Sequence, residues 1–389
     1  MESTPLLYQT LMSVLTCHTN WLDRRHVKTL AWMMSGLILS REIGLGAWAL
    51  YVHSRAQYVA STIRRFRRFL DNDRIDVPRL YAPLLAQALR GWEQTTVYVA
   101  LDTSMLWNTY CIVRLSLIYR GRAIPIVWKV LEHGSATIAY DDYHTLLDQA
   151  AQVLFPFHCR VIFLADRGFA DTQLMEHLPS LGWHFRIRIK DSFWVYIKGQ
   201  RRRKTGSFRL REGHPRFWHE VEITEARLGP LHLAMGRPLD SNERWIVLSD
   251  EPTDLATFGE YGLRFDIEEN FLDDKSNGFQ LEASCIRSAP ALERLCLVLA
   301  VATLYLVSQG THIVETGQRR WVDAHWFRGS SYLKIGWNWI RRAVSRKEKT
   351  LLKHLALSPQ PDPEPAMASR KQHAKRTQPR FYGELRKAA

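Results

Sequence analysis

The sequence has few cysteines and no long apolar run, and both absences narrow the class of protein. Its five cysteines lack the paired spacing of a disulfide framework, and neither they nor the fifteen histidines show zinc-ligand spacing. The most apolar run, Leu295–Val307, has 13 residues, whereas a bilayer span needs about 20. Met1–Thr10 carries neither the basic start nor the apolar core of a secretion signal. We therefore expect a cytoplasmic protein.

Acidic residues are scarce relative to basic ones. The 389 residues include 53 Lys and Arg but 39 Asp and Glu, which gives a net charge of +14 and a pI near 9.7. Such a balance favours a polyanionic partner, either nucleic acid or an anionic membrane surface. Composition alone does not decide between these two.

Four residues that together suit a phosphate next to a metal ion follow one another at set intervals. They are Tyr261, Arg264, Glu268 and Lys275, in the segment YGLRFDIEENFLDDK. On one continuous α-helix they would share a sector of about 60°. A carboxylate on that face can ligate a divalent ion while the cations and the phenol hold phosphodiester oxygens. The alternative is a solvated helix face with ordinary i,i+4 ion pairs.

Two aspartates upstream favour the phosphate interpretation. Asp102 ends the run 95–101, which is rich in β-branched and aromatic residues, and Asp166 ends the short apolar run 161–165. Each pattern predicts a buried strand that delivers a carboxylate at its end, although such an aspartate is often only a turn or cap residue. With Glu268 they supply the three carboxylates of a two-metal phosphoryl-transfer site, and Mg2+ prefers such oxygen ligands.

These motifs resemble those of the DDE transposases of bacterial insertion sequences. The spacing from Tyr261 to Lys275 matches the Tyr-Arg-Glu-Lys signature of the family-four-like, hairpin-forming group, and LDTS and ADRGF resemble the two aspartate motifs. The resemblance implies that Asp102, Asp166 and Glu268 are catalytic and bind two Mg2+ ions, for which Mn2+ can substitute. It also implies that Tyr261, Arg264 and Lys275 bind DNA phosphates.

Trp245 matches a further position of that group. By resemblance it would stack on a base flipped out during hairpin formation. A Trp that opens a core strand is also a common structural choice, so both interpretations stay open.

The reaction implied by the resemblance is DNA cleavage at the ends of an insertion sequence, followed by strand transfer into target DNA. The expected partners are double-stranded DNA, as terminal inverted repeats and target, and a second copy in a homodimeric synaptic complex near the bacterial nucleoid. Two alternatives remain: a ribonuclease-H-like nuclease without strand transfer, and an inactive DNA-binding descendant.

The order of predicted elements indicates an α/β fold. After the Asp102 strand come strands at 110–119 and 123–130, a helix at 143–153, the Asp166 strand, a helix at 172–178 and a strand at 183–189. This mixed sheet agrees with the ribonuclease-H-like core that the resemblance implies. We place the core at 93–190 and 245–310, interrupted by a β-rich insertion at 191–244. The insertion carries the basic patch 201–204 in a predicted hairpin tip, where DNA contact and solvation are equally consistent.

The two ends of the chain have helical or basic patterns. Residues 1–92 are predicted to form a helical DNA-binding domain, with helices at 6–15, 27–39, 48–59 and 61–70. The last of these directs four arginines to solvent, namely Arg64, Arg65, Arg67 and Arg68, which suits DNA contact; a helical scaffold with solvated arginines is the alternative. Residues 311–357 are predicted to form a helical region for dimerisation or DNA-backbone contact. Residues 358–389 are predicted to form a basic disordered tail.

Overall fold

The fold combines a large mixed β-sheet with a helical layer. This computed structural model describes residues 4–382 except 18–20, 22, 54–55, 240, 327–329, 349 and 364–378. The helices are α1 (Thr4–Thr16), α2 (Arg24–Ser40), α3 (Leu45–Ala49), α4 (Val59–Leu70), α5 (Val77–Ala88), α6 (Tyr140–Leu154), α7 (Thr172–Ser180), α8 (Leu255–Gly262), α9 (Phe265–Leu272), α10 (Ala289–Glu315) and α11 (Tyr332–Ser345). The strands are β1 (Thr96–Leu106), β2 (Tyr110–Tyr119), β3 (Arg122–Glu132), β4 (Arg160–Ala165), β5 (His184–Arg188), β6 (Trp194–Tyr196), β7 (Arg203–Lys204), β8 (Arg216–Ile223), β9 (Leu228–Gly236) and β10 (Trp245–Ser249).

The first five strands form the mixed sheet that the sequence predicts. Their spatial order is β3-β2-β1-β4-β5, with β1 to β3 antiparallel and β4 and β5 parallel to β1. Strands β2 and β4 are buried over almost their whole length, as expected for strands covered on both faces, whereas the polar residues Asp102, Thr103 and Ser104 interrupt β1. The mixed α/β architecture is consistent with a ribonuclease-H-like core.

The insertion at 191–244 is β-rich, as its alternating pattern predicts, but it extends the same sheet. Strand β10 pairs with β5 on one side and with β9 on the other, so the order continues as β10-β9-β8-β6-β7. Backbone hydrogen bonds therefore join the insertion directly to the core.

The helical layer is built around α10. This helix contains the apolar run 295–307 and extends it to 27 residues. Among the described residues it is the one helix long and apolar enough to cross a membrane, yet 89% of its most apolar window is buried inside the protein. It is therefore a buried core helix.

The two ends of the chain pack together on α10. Helices α2, α4 and α5 contact it, and so does α11. Gly310 and Gly336 mark a close crossing, because a Cβ on either glycine would overlap a backbone atom of the other helix. The indole of Trp337 donates to the carbonyl of Ile38 at 2.7 Å. Residues 1–92 and 311–357 thus share one helical layer, although the sequence patterns suggested separate regions.

Two predictions at the ends of the chain are wrong in part. The helix predicted at 48–59 does not form, since α3 ends at Ala49, and α5 was not predicted. The tail is not entirely disordered, because Pro379–Tyr382 packs on the sheet. There Phe381 is fully buried against Phe258, over Gly236, which has no side chain to occupy that space. Residues 364–378 and 383–389 of the predicted tail lie outside the described residues.

Candidate active site

Asp102 lies in β1 next to Asp166, which directly follows the neighbouring parallel strand β4. The register of β1 and β4 pairs Leu101 with Ala165, which places the next residue of each strand at the same level of the sheet. The prediction that a strand ends at Asp102 is wrong, because β1 continues to Leu106 and Asp102 pairs with Arg114 of β2. Asp102 is therefore held within a strand.

The segment from Tyr261 to Lys275 is helical but broken. Tyr261 lies near the end of α8, Arg264 precedes α9, Glu268 lies in α9, and Lys275 lies in a π-helical turn, Asp273–Asn277. The prediction of a single continuous face is wrong, since the break after Gly262 and the wider π-turn both change the angular spacing of the side chains.

The side chains nevertheless converge through direct contacts. Arg264 donates one Nη to Asp102 Oδ2 at 3.2 Å and the other to Glu268 Oε1 at 2.7 Å. The hydroxyl of Tyr261 donates to Asp166 Oδ1 at 3.2 Å. The Lys275 ammonium donates to the carbonyl of Met105, three residues beyond Asp102 on β1. Each predicted carboxylate thus has a cation or a phenol of the signature as its neighbour.

Burial gives this cluster unusual electrostatics. It raises the pKa of Asp102 to about 6, although Arg264 and the amide of Thr103 oppose that change. It also raises the pKa of the Tyr261 phenol, which therefore stays protonated and can donate. Burial alone would lower the pKa of Arg264, but Tyr261 and the neighbouring carboxylates outweigh it, so this guanidinium stays charged.

Arg114 fixes the glutamate helix to the sheet. Its side chain is 1% exposed and donates to Asn270 at 2.7 Å and Asp274 at 2.6 Å, both C-terminal to Glu268. Arg122 on β3 adds contacts to Glu269 and Asp273. The sequence analysis missed these anchors because a single Arg in an apolar strand gives no local signal of its partner, which lies 160 residues away for Asp274.

Trp245 is buried beneath the same segment. It is 5% exposed, and its ring packs edge-to-face on Tyr261 at 5.3 Å and contacts Phe258 and Phe265. In this conformation the ring presents no open face to a base. The observed packing therefore agrees with a role for Trp245 as a core residue. Stacking on a base would require the ring to leave this cluster.

The chain matches one known protein family over most of this site. Residues 113–305 match the transposase DDE domain. The match supports a DDE transposase. It includes Asp166 and the segment from Tyr261 to Lys275, and it begins after Asp102. No curated protein matches the chain significantly. The transposase family implies an enzyme that acts on DNA.

The carboxylates of this candidate site fit a divalent cation. Asp102, Asp166 and Glu268 offer oxygen ligands, the type that hard cations prefer. Two of them already share one positive group, the Arg264 guanidinium. Besides burial, the charges of Glu268 and Asp166 both raise the pKa of Asp102. The three carboxylates do not, however, form a group whose ligand atoms all lie within 4.8 Å of one another.

A second acidic cluster lies at the N-terminal end of β5, opposite the end that is near Asp166. Among the described residues, His184, Asp250 and Glu251 form the one group of three potential ligands whose atoms lie within 4.8 Å of one another. Arg160 and Arg186 donate to Glu251 at 2.6 and 2.9 Å. Because guanidiniums already hold these oxygens, we interpret this cluster as an ion-pair network.

The predicted DNA-contacting arginines of α4 are mostly exposed. Arg64, Arg67 and Arg68 face solvent, while Thr62, Phe66, Phe69 and Leu70 are buried. Arg65 differs, since it is half-buried and its Nε and one Nη have no hydrogen-bond partner among the described residues. Three of the four arginines therefore have the exposure that phosphate contact requires.

The basic patch of the insertion lies at a hairpin, as predicted. Arg203 and Lys204 form β7, which pairs with β6, and Arg201 and Arg202 lie in the connection. Arg202 and Lys204 lie over the ring of Trp194 at 4.8 and 5.4 Å. These exposed cations are partly ordered by the aromatic ring beneath them.

Proposed function

We propose that this DDE transposase belongs to the Tyr-Arg-Glu-Lys group, cleaves DNA at the ends of an insertion sequence and joins the freed ends to target DNA. The observation that carries the proposal is the convergence of the signature on the carboxylates. Arg264 bonds Asp102 and Glu268, and Tyr261 bonds Asp166. A solvated helix face, the alternative interpretation of this segment, would not be buried against two sheet aspartates.

In the proposed mechanism Asp102, Asp166 and Glu268 hold two divalent ions, Mg2+ or Mn2+. When bound, such ions activate the attacking oxygen and stabilise the leaving oxygen of a phosphodiester. The protein contributes a rigid frame for these ligands. Two come from adjacent strands, and the third from a helix fixed to the sheet by Arg114.

Tyr261, Arg264 and Lys275 are proposed to hold DNA phosphates beside the carboxylates. The phenol stays protonated because burial raises the pKa of Tyr261, so it can donate a hydrogen bond to a phosphate oxygen. Arg264 offers a forked pair of donors that matches two phosphate oxygens. Lys275 lies beside β1 through its bond to Met105 and supplies a second positive charge.

The exposed cations of α4 and of the β6–β7 hairpin are proposed to contact double-stranded DNA away from the cleavage site. The whole chain carries a net charge of +14, which favours such contacts over its surface. Synapsis of two ends by a homodimer and a hairpin intermediate belong to the same proposal.

A strand-joining assay tests the proposed function. Labelled DNA bearing the inverted repeats that flank the gene is incubated with the protein, Mg2+ and a circular target. We expect nicked ends, hairpin ends and labelled DNA joined to the target. Cleaved ends without any joined product would instead identify a nuclease that lacks strand transfer, and absence of both products would indicate an inactive descendant.

A further inference from the structure

Arg264 lies between two carboxylates of the site, those of Asp102 and Glu268. Asp102 belongs to β1 and Glu268 to α9, and one guanidinium bonds both, at 3.2 and 2.7 Å. The Arg264 side chain is 6% exposed, whereas that of Glu268 is 38% exposed. The Arg264 guanidinium therefore lies deeper in the protein than the Glu268 carboxylate to which it donates.

The local backbone fixes Arg264 in this position. Its amide donates to the carbonyl of Tyr261 at 3.0 Å, at the break between α8 and α9. Its guanidinium carbon lies 4.7 Å from the centre of the Phe265 ring. An arginine at this break can reach back to the sheet and forward to the next helical turn, so one side chain can bridge Asp102 and Glu268.

A buried guanidinium and a divalent cation compete for the same carboxylate oxygens. The bridging oxygens are those that a metal ion between Asp102 and Glu268 would use, and two positive groups sharing them repel each other. A guanidinium displaced from both carboxylates is costly to leave unpaired in a buried site. Its Nε already has no hydrogen-bond partner among the described residues. A phosphate oxygen is the ligand that would satisfy the displaced group.

We infer that Arg264 is the internal counter-ion of the acidic site: it holds Asp102 and Glu268 together before a divalent cation binds, and it transfers to a DNA phosphate afterwards. The inference rests on the proposed function, because it assigns metal ligation to these carboxylates. Metal binding and DNA binding are then cooperative. A metal ion on the carboxylates frees Arg264 for a phosphate, and a phosphate that binds Arg264 frees the carboxylates for a metal ion. Metal binding to the DNA-free protein is consequently weak.

The test measures Mn2+ binding to the full chain without DNA, by titration calorimetry and by the paramagnetic resonance signal of free Mn2+. Arg264→Gln removes the competing charge and should bind Mn2+ about tenfold more tightly, within the usual range of coupling between sites. Arg264→Lys keeps the charge and should remain close to the unmodified protein. A thermal melt establishes that each variant is folded.

Arg122→Gln is the matched control. Arg122 also bridges two acidic residues, Glu269 and Asp273, close to Glu268 but outside the predicted ligands. Its loss removes the same charge and should change Mn2+ affinity much less than the loss of Arg264. Equal or weaker Mn2+ binding by folded Arg264→Gln would overturn the inference, and so would an equal gain in both variants.

A second measurement separates this inference from the proposed function. In the unmodified protein Ca2+ should raise the affinity for end DNA over that in chelator, and Arg264→Gln should lose most of that gain. A gain that persists in Arg264→Gln contradicts the transfer of Arg264 to phosphate while leaving cleavage by the carboxylates untouched. Full cleavage by Asp102→Asn, in contrast, would reject the proposed function itself.

Discussion

Trp245 links the start of β10 to the segment that carries Tyr261. Its ring is almost fully buried among Tyr261, Phe258 and Phe265. Removing it would leave a cavity directly beneath the tyrosine that bonds Asp166. The packing of this one residue therefore affects both the stability of the fold and the geometry of the site.

Trp245→Ala should lower the free energy of unfolding by about 3–5 kcal/mol, because a large buried side chain is lost and a cavity remains. Urea unfolding measures the change, and Trp245→Phe, which keeps an aromatic ring, should lose less. Nicking and hairpin formation should fall together in Trp245→Ala. A variant that melts like the unmodified protein and loses only the hairpin step would instead establish stacking on a base.

At the residue scale, the sequence predicts candidate residues but not their contacts. Asp102, Asp166 and Glu268 are predicted because a carboxylate that follows an apolar run, or that falls at a fixed helical spacing, is visible locally. The bridge from Arg264 to Asp102 joins positions 162 residues apart, and no local pattern predicts such a pair. The burial of Trp245 likewise depends on a helix that follows it in the chain.

At the scale of elements, a buried ion pair joins the π-turn after α9 to the sheet. Arg114 of β2 bonds Asp274 and Asn270, and both members of the Arg114–Asp274 pair are almost completely buried. Burial raises the pKa of Asp274, and the Arg114 guanidinium opposes that change. The position of Glu268 follows from this anchor.

Arg114→Ala should therefore destabilise the protein by about 3–5 kcal/mol, since it leaves Asp274 buried without its partner. Chemical denaturation provides the measurement. The double variant Arg114→Met, Asp274→Leu replaces the pair by apolar groups and should recover much of the loss. If Arg114→Ala unfolds at the same denaturant concentration as the unmodified protein, Arg114 is not the anchor of α9.

The elements that the sequence predicted well are those with a strong, uninterrupted period. Strand β2 matches its predicted bounds, Tyr110–Tyr119, because apolar residues fill it except at Arg114 and Ser116. The break between α8 and α9 was not predicted because Leu263 and Arg264 are both good helix formers. The break and the π-turn place Arg264 and Lys275 against β1, so tertiary contacts rather than propensity explain them.

At the scale of the whole molecule, exposed cations are distributed around one large hydrophobic core and a smaller cluster that contains Trp245 and Tyr261. One cluster of buried residues runs from α1 through the sheet to Leu357. The sequence predicted separate terminal regions because neither end shows its partner locally. The exposed arginines of α4 lie on this shared helical layer. DNA bound to them is therefore bound by the same folded unit that carries the acidic site.

Replacing Arg64, Arg67 and Arg68 by Ala should weaken binding to end DNA and flatten its salt dependence. Each lost phosphate contact lowers the slope of log affinity against log salt by about 0.9. Arg65→Ala is the comparison, since Arg65 is half-buried and should alter the slope less. An unchanged affinity and slope in the triple variant would show that these arginines are only solvated.

The central claim is that Asp102, Asp166 and Glu268 perform the cleavage chemistry. The most direct test times the cleavage of labelled end DNA under single-turnover conditions, with DNA binding measured on the same preparations. Asp102→Asn and Glu268→Gln keep the size of each side chain but remove its charge, so both should abolish cleavage while end binding stays nearly intact. Substantial cleavage by either folded variant would contradict the assignment of this site.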